Sequence, residues 1–245
     1  MAISANSIIH YTSTFDILCK ILEEGFKIKY CKEDLHLNKI GDGSSAAHPM
    51  VSFCDIPLTD TTRHFESYGY YGIGLSKKWA IDNGINPVLY IEQKSSLAKS
   101  LSRIIQIVRK KEIDAELKID IYRLKSFSKN YAGDITINGK ETTDYKFYNE
   151  REWRFVPQQE DIGNNPFSVS TSKYIKDKDK YNNAIKDYRL KFSPKDISYI
   201  IVKKTSEIPE LIKFLREKYD NKCTVRDLDI LFTKICSTEQ ILSDY

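Results

Sequence analysis

The chain has 245 residues and a mass of 28.4 kDa, with 41% hydrophobic and 29% charged residues, which excludes a disordered chain and suffices for a core without disulfide or metal staples. Its 38 Lys and Arg face 34 Asp and Glu for a net charge of +4, so the basic excess reads first as a solvated surface and only second as a phosphate-binding one, with nucleic acid a weakly indicated partner. Five cysteines without CxxC spacing argue against a disulfide framework or a zinc site; with no secretory pattern and no apolar run of membrane length, they predict a cytoplasmic protein.

In chain order, Ile8-Ile9-His10-Tyr11 predicts a first strand. Ser13-Thr14-Phe15-Asp16 has the form of a capping box with Ser13 as N-cap, opening a helix that buries Phe15, Leu18 and Leu22 and stops at Gly25 as a left-handed cap. Residues 26–30 form a short strand, and 31–50 a polar loop containing Gly41-Asp42-Gly43-Ser44-Ser45. Met50-Val51-Ser52-Phe53 is the next strand, followed by a helix over 59–68 that carries Arg63, His64 and Phe65 and ends at Gly69. Residues 70–75 form a strand whose two glycines, Gly72 and Gly74, mark a bulge or a place where a ligand or another backbone comes close.

Ser76 caps a short helix closed by Gly84, and 87–91 is a strand. A helical stretch from Ser95 or Ser96 to about Leu124 breaks near 110–113. Residues 134–139 form a hairpin turning at Asn138-Gly139, and 150–156 a strand. The stretch 158–189 is polar and irregular, a mobile surface segment or exposed helix. Strands at 190–192, 197–202 and 230–235, an amphipathic helix at 208–219 and a terminal helix capped by Ser237 complete the chain. Strands and helices mix without regular βαβ units, so the expected fold is α+β, one domain over 1–245 with flanking helices.

The chemistry concentrates in Glu150-Arg151-Glu152-Trp153-Arg154. Alternation on a strand puts Glu150, Glu152 and Arg154 on one face and Arg151, Trp153 and Phe155 on the other, the aromatic face being the natural core side. Two readings stand: a solvent face with ordinary ion pairs, or a catalytic carboxylate on a rigid element. His10, beside Tyr11, points into a cleft or donates to a backbone carbonyl in the core. Tyr68, Tyr70 and Tyr71 flank glycines and either stack on a flat ligand ring or pack internally. The four histidines lack metal-ligand spacing, so no metal is expected.

Four stretches taken together carry a resemblance. They are His10-Tyr11-Thr12 with Ile21-Leu22-Glu23-Glu24-Gly25-Phe26; the block 51–58 continued by His64, Tyr68-Gly69-Tyr70-Tyr71-Gly72-Ile73-Gly74-Leu75, Trp79 and Asn86-Pro87-Val88-Leu89-Tyr90; Glu150 to Arg154; and the closing 235–245 with Glu239-Gln240-Ile241. The chain resembles the AbiGi family of bacterial abortive phage-resistance proteins, the antitoxin member of a two-component system. That implies a role in phage defence and a partner toxin, or a phage or host macromolecule.

More distantly, the order of a His-Tyr strand, a capped helix ending in Glu-x-Gly, a Tyr-containing middle and a late strand glutamate is similar to DarT-type ADP-ribosyltransferases. This second resemblance implies a mixed or antiparallel split sheet and a cleft for NAD. Glu152 would be the catalytic carboxylate and Glu150 its companion. His10, with Tyr11 beside it, would bind the NAD ribose or amide. Tyr71 or Tyr70 would stack on nicotinamide, and Arg63 would hold the phosphates. A Ser-Thr-Ser strand ahead of the glutamates is missing; Ser170-Thr171-Ser172 follows them. A non-catalytic antitoxin that masks a toxin is the alternative the sequence leaves open.

Overall fold

A computed structural model describes residues 5–37, 45–110, 113–137 and 139–244. Residues 41–44 of the expected glycine loop and Asn138 of the expected turn lie outside the described residues. The elements run β1 (Ser7–Thr12), α1 (Phe15–Glu24), β2 (Phe26–Lys27), β3 (Lys29–Glu33), β4 (Ala46–Cys54), α2 (Thr62–Tyr68), β5 (Tyr71–Ser76), α3 (Lys77–Asp82), β6 (Asn86–Pro87) and β7 (Leu89–Ile91). Then follow α4 (Ser96–Lys110), α5 (Ala115–Ser126), β8 (Ser128–Asn130), β9 (Gly133–Ile137), β10 (Lys140–Tyr145), β11 (Glu152–Phe155), β12 (Val169–Ser170), α6 (Thr171–Lys176) and α7 (Lys178–Ala184). The chain closes with β13 (Arg189–Leu190), β14 (Ile197–Val202), α8 (Ile208–Tyr219), α9 (Val225–Phe232), β15 (Ile235–Ser237) and α10 (Thr238–Asp244). The α+β class holds, with parallel and antiparallel pairings mixed. No helix among the described residues is long and apolar enough to cross a membrane.

The chain groups into two compact units of interleaved segments. The first takes residues 1–27, 52–84 and 189–245; the second takes 28–51 and 85–188.

In the first unit, β5 pairs antiparallel with β1 from Ser7↔Ser76 to Thr12↔Tyr71, and with β14 on its other edge. Strand β15 continues the sheet parallel to β14, and Ile9 on β1 pairs with Cys54 at the end of β4. Ile8, Ile73, Leu75 and Ile200 are fully buried in it. Glycine at positions 72 and 74 is explained from within: a Cβ on Gly74 would lie 3.0 Å from the Tyr199 ring and one on Gly72 3.1 Å from the Tyr11 ring. What comes closest there is the tyrosine side chains of neighbouring strands, with backbone atoms at 3.4 and 3.5 Å.

Two helix ends differ from expectation. Thr14, not Ser13, caps α1, its hydroxyl accepting from Ile17 N–H at 3.3 Å. Gly25 ends α1 at φ 86°, ψ 176°, a glycine-only region that is not the left-handed helical one. Of the strand expected over 230–235, residues 230–232 are the end of helix α9, and a strand, β15, begins only at Ile235. In α9, Thr224 and Asp227 form a capping box, and Leu228 and Leu231 bury a helical stripe; an i, i+3 apolar pair behind a cap outweighs a short β-branched run.

In the second unit, β3 and β12 flank β4, with Lys29↔Met50 and Val169↔Ala47. Strand β11 pairs with β6, β7 runs parallel to β8, and β9–β10 form the expected hairpin. The expected polar loop over 31–50 is shortened at both ends, by β3 and by β4. The stretch 158–189 is more regular than expected: β12 lies in it, the largely exposed helices α6 and α7 match the exposed-helix reading of its charged part, and Ile162, Phe167, Val169, Tyr174 and Ile185 are buried. Helix α4 ends at Lys110 and α5 begins at Ala115; residues 111–112, within the expected break near 110–113, lie outside the described residues.

Candidate functional site

The carboxylate cluster belongs to the second unit and is arranged inside out relative to expectation. Glu150 is not on the strand. It ends a 3-10 turn over Phe147–Glu150, and Arg151 follows in the left-handed region at φ 45°. Strand β11 then begins at Glu152, and its buried side is the charged one: Glu152 is 7% and Arg154 0% exposed, while Trp153 and Phe155 are half-buried. Hydropathy alone puts the aromatics inside. The ion pairs that make the charged face the cheaper one to bury come from distant residues.

Arg154 is the centre of that face. Its Nε donates to Glu152 Oε1 at 2.7 Å and its Nη2 to Glu152 Oε2 at 3.0 Å, a bidentate pair. The same Nη2 lies 2.9 Å from Glu33 Oε2 on β3, and Nη1 donates to the Ser126 carbonyl at 2.7 Å. Lys129 on β8 lies 2.6 Å from Glu150 Oε2 and 3.0 Å from Glu152 Oε2, and sits over the Phe147 ring at 5.0 Å. The Glu152 N–H donates to the Tyr90 hydroxyl at 2.8 Å, and its carbonyl accepts from Val88 N–H at 2.9 Å.

Burial works against the charges of Lys129 and Arg154. The facing carboxylates of Glu152 and Glu150, and of Glu152 and Glu33, outweigh it and raise both pKa values. Lys129 and Arg154 therefore keep their positive charges in spite of their burial. Beside it opens a polar cleft of about 1190 Å³ whose lining includes Glu33, His36, Glu92, Lys129, Asp144 and Phe147. Asn130 shapes its rim by exchanging two 2.8 Å hydrogen bonds with the backbone of His36.

The remaining candidates lie in the first unit. His10 and Tyr11 take opposite faces of β1, as alternation requires. His10 Nδ1 is 2.8 Å from the Ser52 carbonyl oxygen, and its ring sits edge-on to Phe26 and Phe53 at 5.1 and 5.8 Å. Tyr11 is buried against Phe65 at 5.4 Å, and burial raises its pKa. Tyr70 stacks on the same Phe65 at 6.0 Å, with the Lys203 ammonium 5.0 Å over its ring. Tyr71 is buried and donates to Glu207 Oε1 at 2.8 Å; burial and that carboxylate push its pKa up to about 12. Arg63 lies on α2, with its side chain outside what is described. The fold thus joins Tyr11 and Tyr70 through Phe65, and Glu150 with Glu152 through Lys129. Glu33, Lys129 and Tyr90 give no local signal in the sequence, because each meets Glu152 or Arg154 only through the tertiary fold.

Residues 24–203 match the family model described as "Putative abortive phage resistance protein AbiGi, antitoxin". The chain belongs to the AbiGi family. The matched region contains Tyr70, Tyr71, Glu150, Glu152 and Arg154, and begins after His10 and Tyr11. A family member from Lactococcus lactis subsp. cremoris, the abortive phage resistance protein AbiGi, is 29% identical over 257 aligned residues, covering 90% of this chain and 99% of that protein. The alignment with this relative extends beyond the 24–203 region on which the family assignment rests. No solved structure matches it.

Proposed function

We propose that this AbiGi-family chain acts in abortive phage resistance as a non-catalytic antitoxin, a binding module that neutralises a partner toxin. The observation that carries the reading is the state of Glu152. Both of its oxygens are engaged by Arg154 and Lys129, its backbone by Tyr90 and Val88, and its side chain is buried. A carboxylate that stabilises positive charge developing on a substrate has to be aimed at that substrate; this one is spent on neighbours within its own unit. The engagement of His10 by a backbone carbonyl and of Tyr71 by Glu207 supports the same reading.

Co-expression tests it. A candidate partner toxin, expressed alone, should arrest growth; adding this chain should restore growth, and the two proteins should copurify. Growth arrest by this chain alone, relieved by Glu152→Gln, would overturn the reading.

A second reading is transfer of ADP-ribose from NAD to a macromolecular acceptor. One observation favours it: Glu33 and Lys129, both bonded into the carboxylate cluster, also line the polar cleft. Here Glu152 would stabilise the ribosyl cation as nicotinamide leaves, after giving up its pairing with Arg154. Titration calorimetry with NAD separates the readings. The antitoxin reading expects no binding heat. Binding that Glu152→Gln abolishes would favour the transferase.

A further inference from the structure

Helix α4 has two apolar arcs and only one of them is used. Ala98, Leu101, Ile105 and Val108 are at most 4% exposed, and the first three pack with Leu35, Leu37 and Ile91. At roughly 100° per residue, Leu97, Ile104 and Ile107 fall on the adjoining arc. These three remain 47%, 39% and 44% exposed. Lys99 and Arg103 fall on the arc beyond, exposed and in no ion pair among the described residues. From 93 to 110 the sequence has no acidic residue and five basic ones, Lys94, Lys99, Arg103, Arg109 and Lys110.

We propose that this face of α4, the Leu97–Ile104–Ile107 stripe with the Lys99 and Arg103 arc beside it, is a docking surface for an acidic amphipathic helix of a protein partner. The proposal rests on the binding-module reading and names the surface and the chemistry of what it binds. The spacings of seven and three residues along the stripe are those of a helix–helix seam. A partner helix laid on that seam would place its flanking positions against Lys99 and Arg103, so acidic residues there are complementary and basic ones repelled.

Two other kinds of partner fit less well. A helix that lies on an anionic bilayer turns its widest apolar face to the lipid, whereas the wide face of α4 is already committed to the core. A nucleic-acid strand favours aromatic platforms between basic residues, and α4 carries no aromatic side chain.

The test uses the full chain and a synthetic three-heptad peptide with Leu at positions a and d and Glu at e and g, followed by fluorescence anisotropy. Its controls are the same peptide with Lys in place of Glu, vesicles of phosphatidylcholine and phosphatidylglycerol, and a short DNA duplex. The Glu peptide should bind, more weakly as salt rises, and the Lys peptide should not. Ile104→Ser with Ile107→Ser, and separately Lys99→Glu with Arg103→Glu, should each weaken binding at least tenfold while leaving the melting temperature within a few degrees. Equal binding of the two peptides, an unchanged affinity in both double variants, or loss through these variants of vesicle or duplex binding without any peptide binding would overturn the proposal. The two double variants also enter the growth-rescue assay. Rescue by the wild type and by both variants alike would sink the α4 surface and leave the antitoxin reading standing; absence of rescue by the wild type would sink that reading, and the peptide titration would still decide α4.

Discussion

Arg154 has no exposed surface, and its guanidinium holds Glu152, Glu33 and the Ser126 carbonyl at once. Removing one member of such a group strands the others in a low-dielectric interior, at a cost of about 3–5 kcal/mol. Arg154→Met should therefore lower stability by that amount in urea titrations. The double variant Arg154→Met with Glu152→Met should lose less than Arg154→Met alone, because the unpaired carboxylate goes with its partner.

His48 makes a different residue-scale prediction. It is fully buried, with Nδ1 3.3 Å from the Phe167 carbonyl, and burial, then the nearby Lys125 charge, depress its pKa to about 3. In the unfolded chain the ring takes a proton near pH 6.5, the ordinary histidine value. Below that pH the unfolded state binds more protons than the folded one, so stability falls as pH drops toward about 3. Between pH 6.5 and 5, where few carboxylates titrate, His48→Gln should flatten the slope of unfolding free energy against pH. An unchanged slope would mean that the ring is not buried as a neutral group.

At the scale of elements, the turn into β5 depends on Gly69. Its φ of 111° is a region other residues avoid, and a Cβ there would lie 2.2 Å from the Thr12 carbonyl oxygen. Gly69→Ala should cost about 1–3 kcal/mol from backbone strain, with any shift forced on Thr12 adding to it, seen as a lower thermal midpoint. Helix α9 offers a milder case. Thr224→Ala removes the hydroxyl that accepts from Asp227 N–H at 3.2 Å, and should cost about 1 kcal/mol.

These elements also show how far local reading reaches. Ser76 as the cap of α3, the β9–β10 hairpin, and the bounds of β14 and α8 all follow from patterns a few residues long. Strand β11 shows the limit. Its alternation was legible and its inside and outside were not, since Trp153 and Phe155 outrank Glu152 and Arg154 on any hydropathy scale. Only the arrival of Glu33, Lys129 and Ser126 reverses that order.

For the whole molecule, the division into two interleaved units could not be read from composition: the chain passes between them four times, once within β4, between Val51 and Ser52. The chain order of His10, Tyr71 and Glu152 suggested one catalytic set. The fold gives each of them a partner inside its own unit, which is why a binding role is the better proposal.

The sequence by itself determined the α+β class, most helix and strand positions and the family, because each rests on short-range periodicity, caps and turns or on residue order along the chain. The tertiary structure alone decided which side of β11 is buried, why Gly72 and Gly74 are glycines, and what Glu150 and Glu152 touch. Those outcomes depend on charges and rings supplied from tens of residues away, and whether a carboxylate is held or offered depends on the cations that reach it.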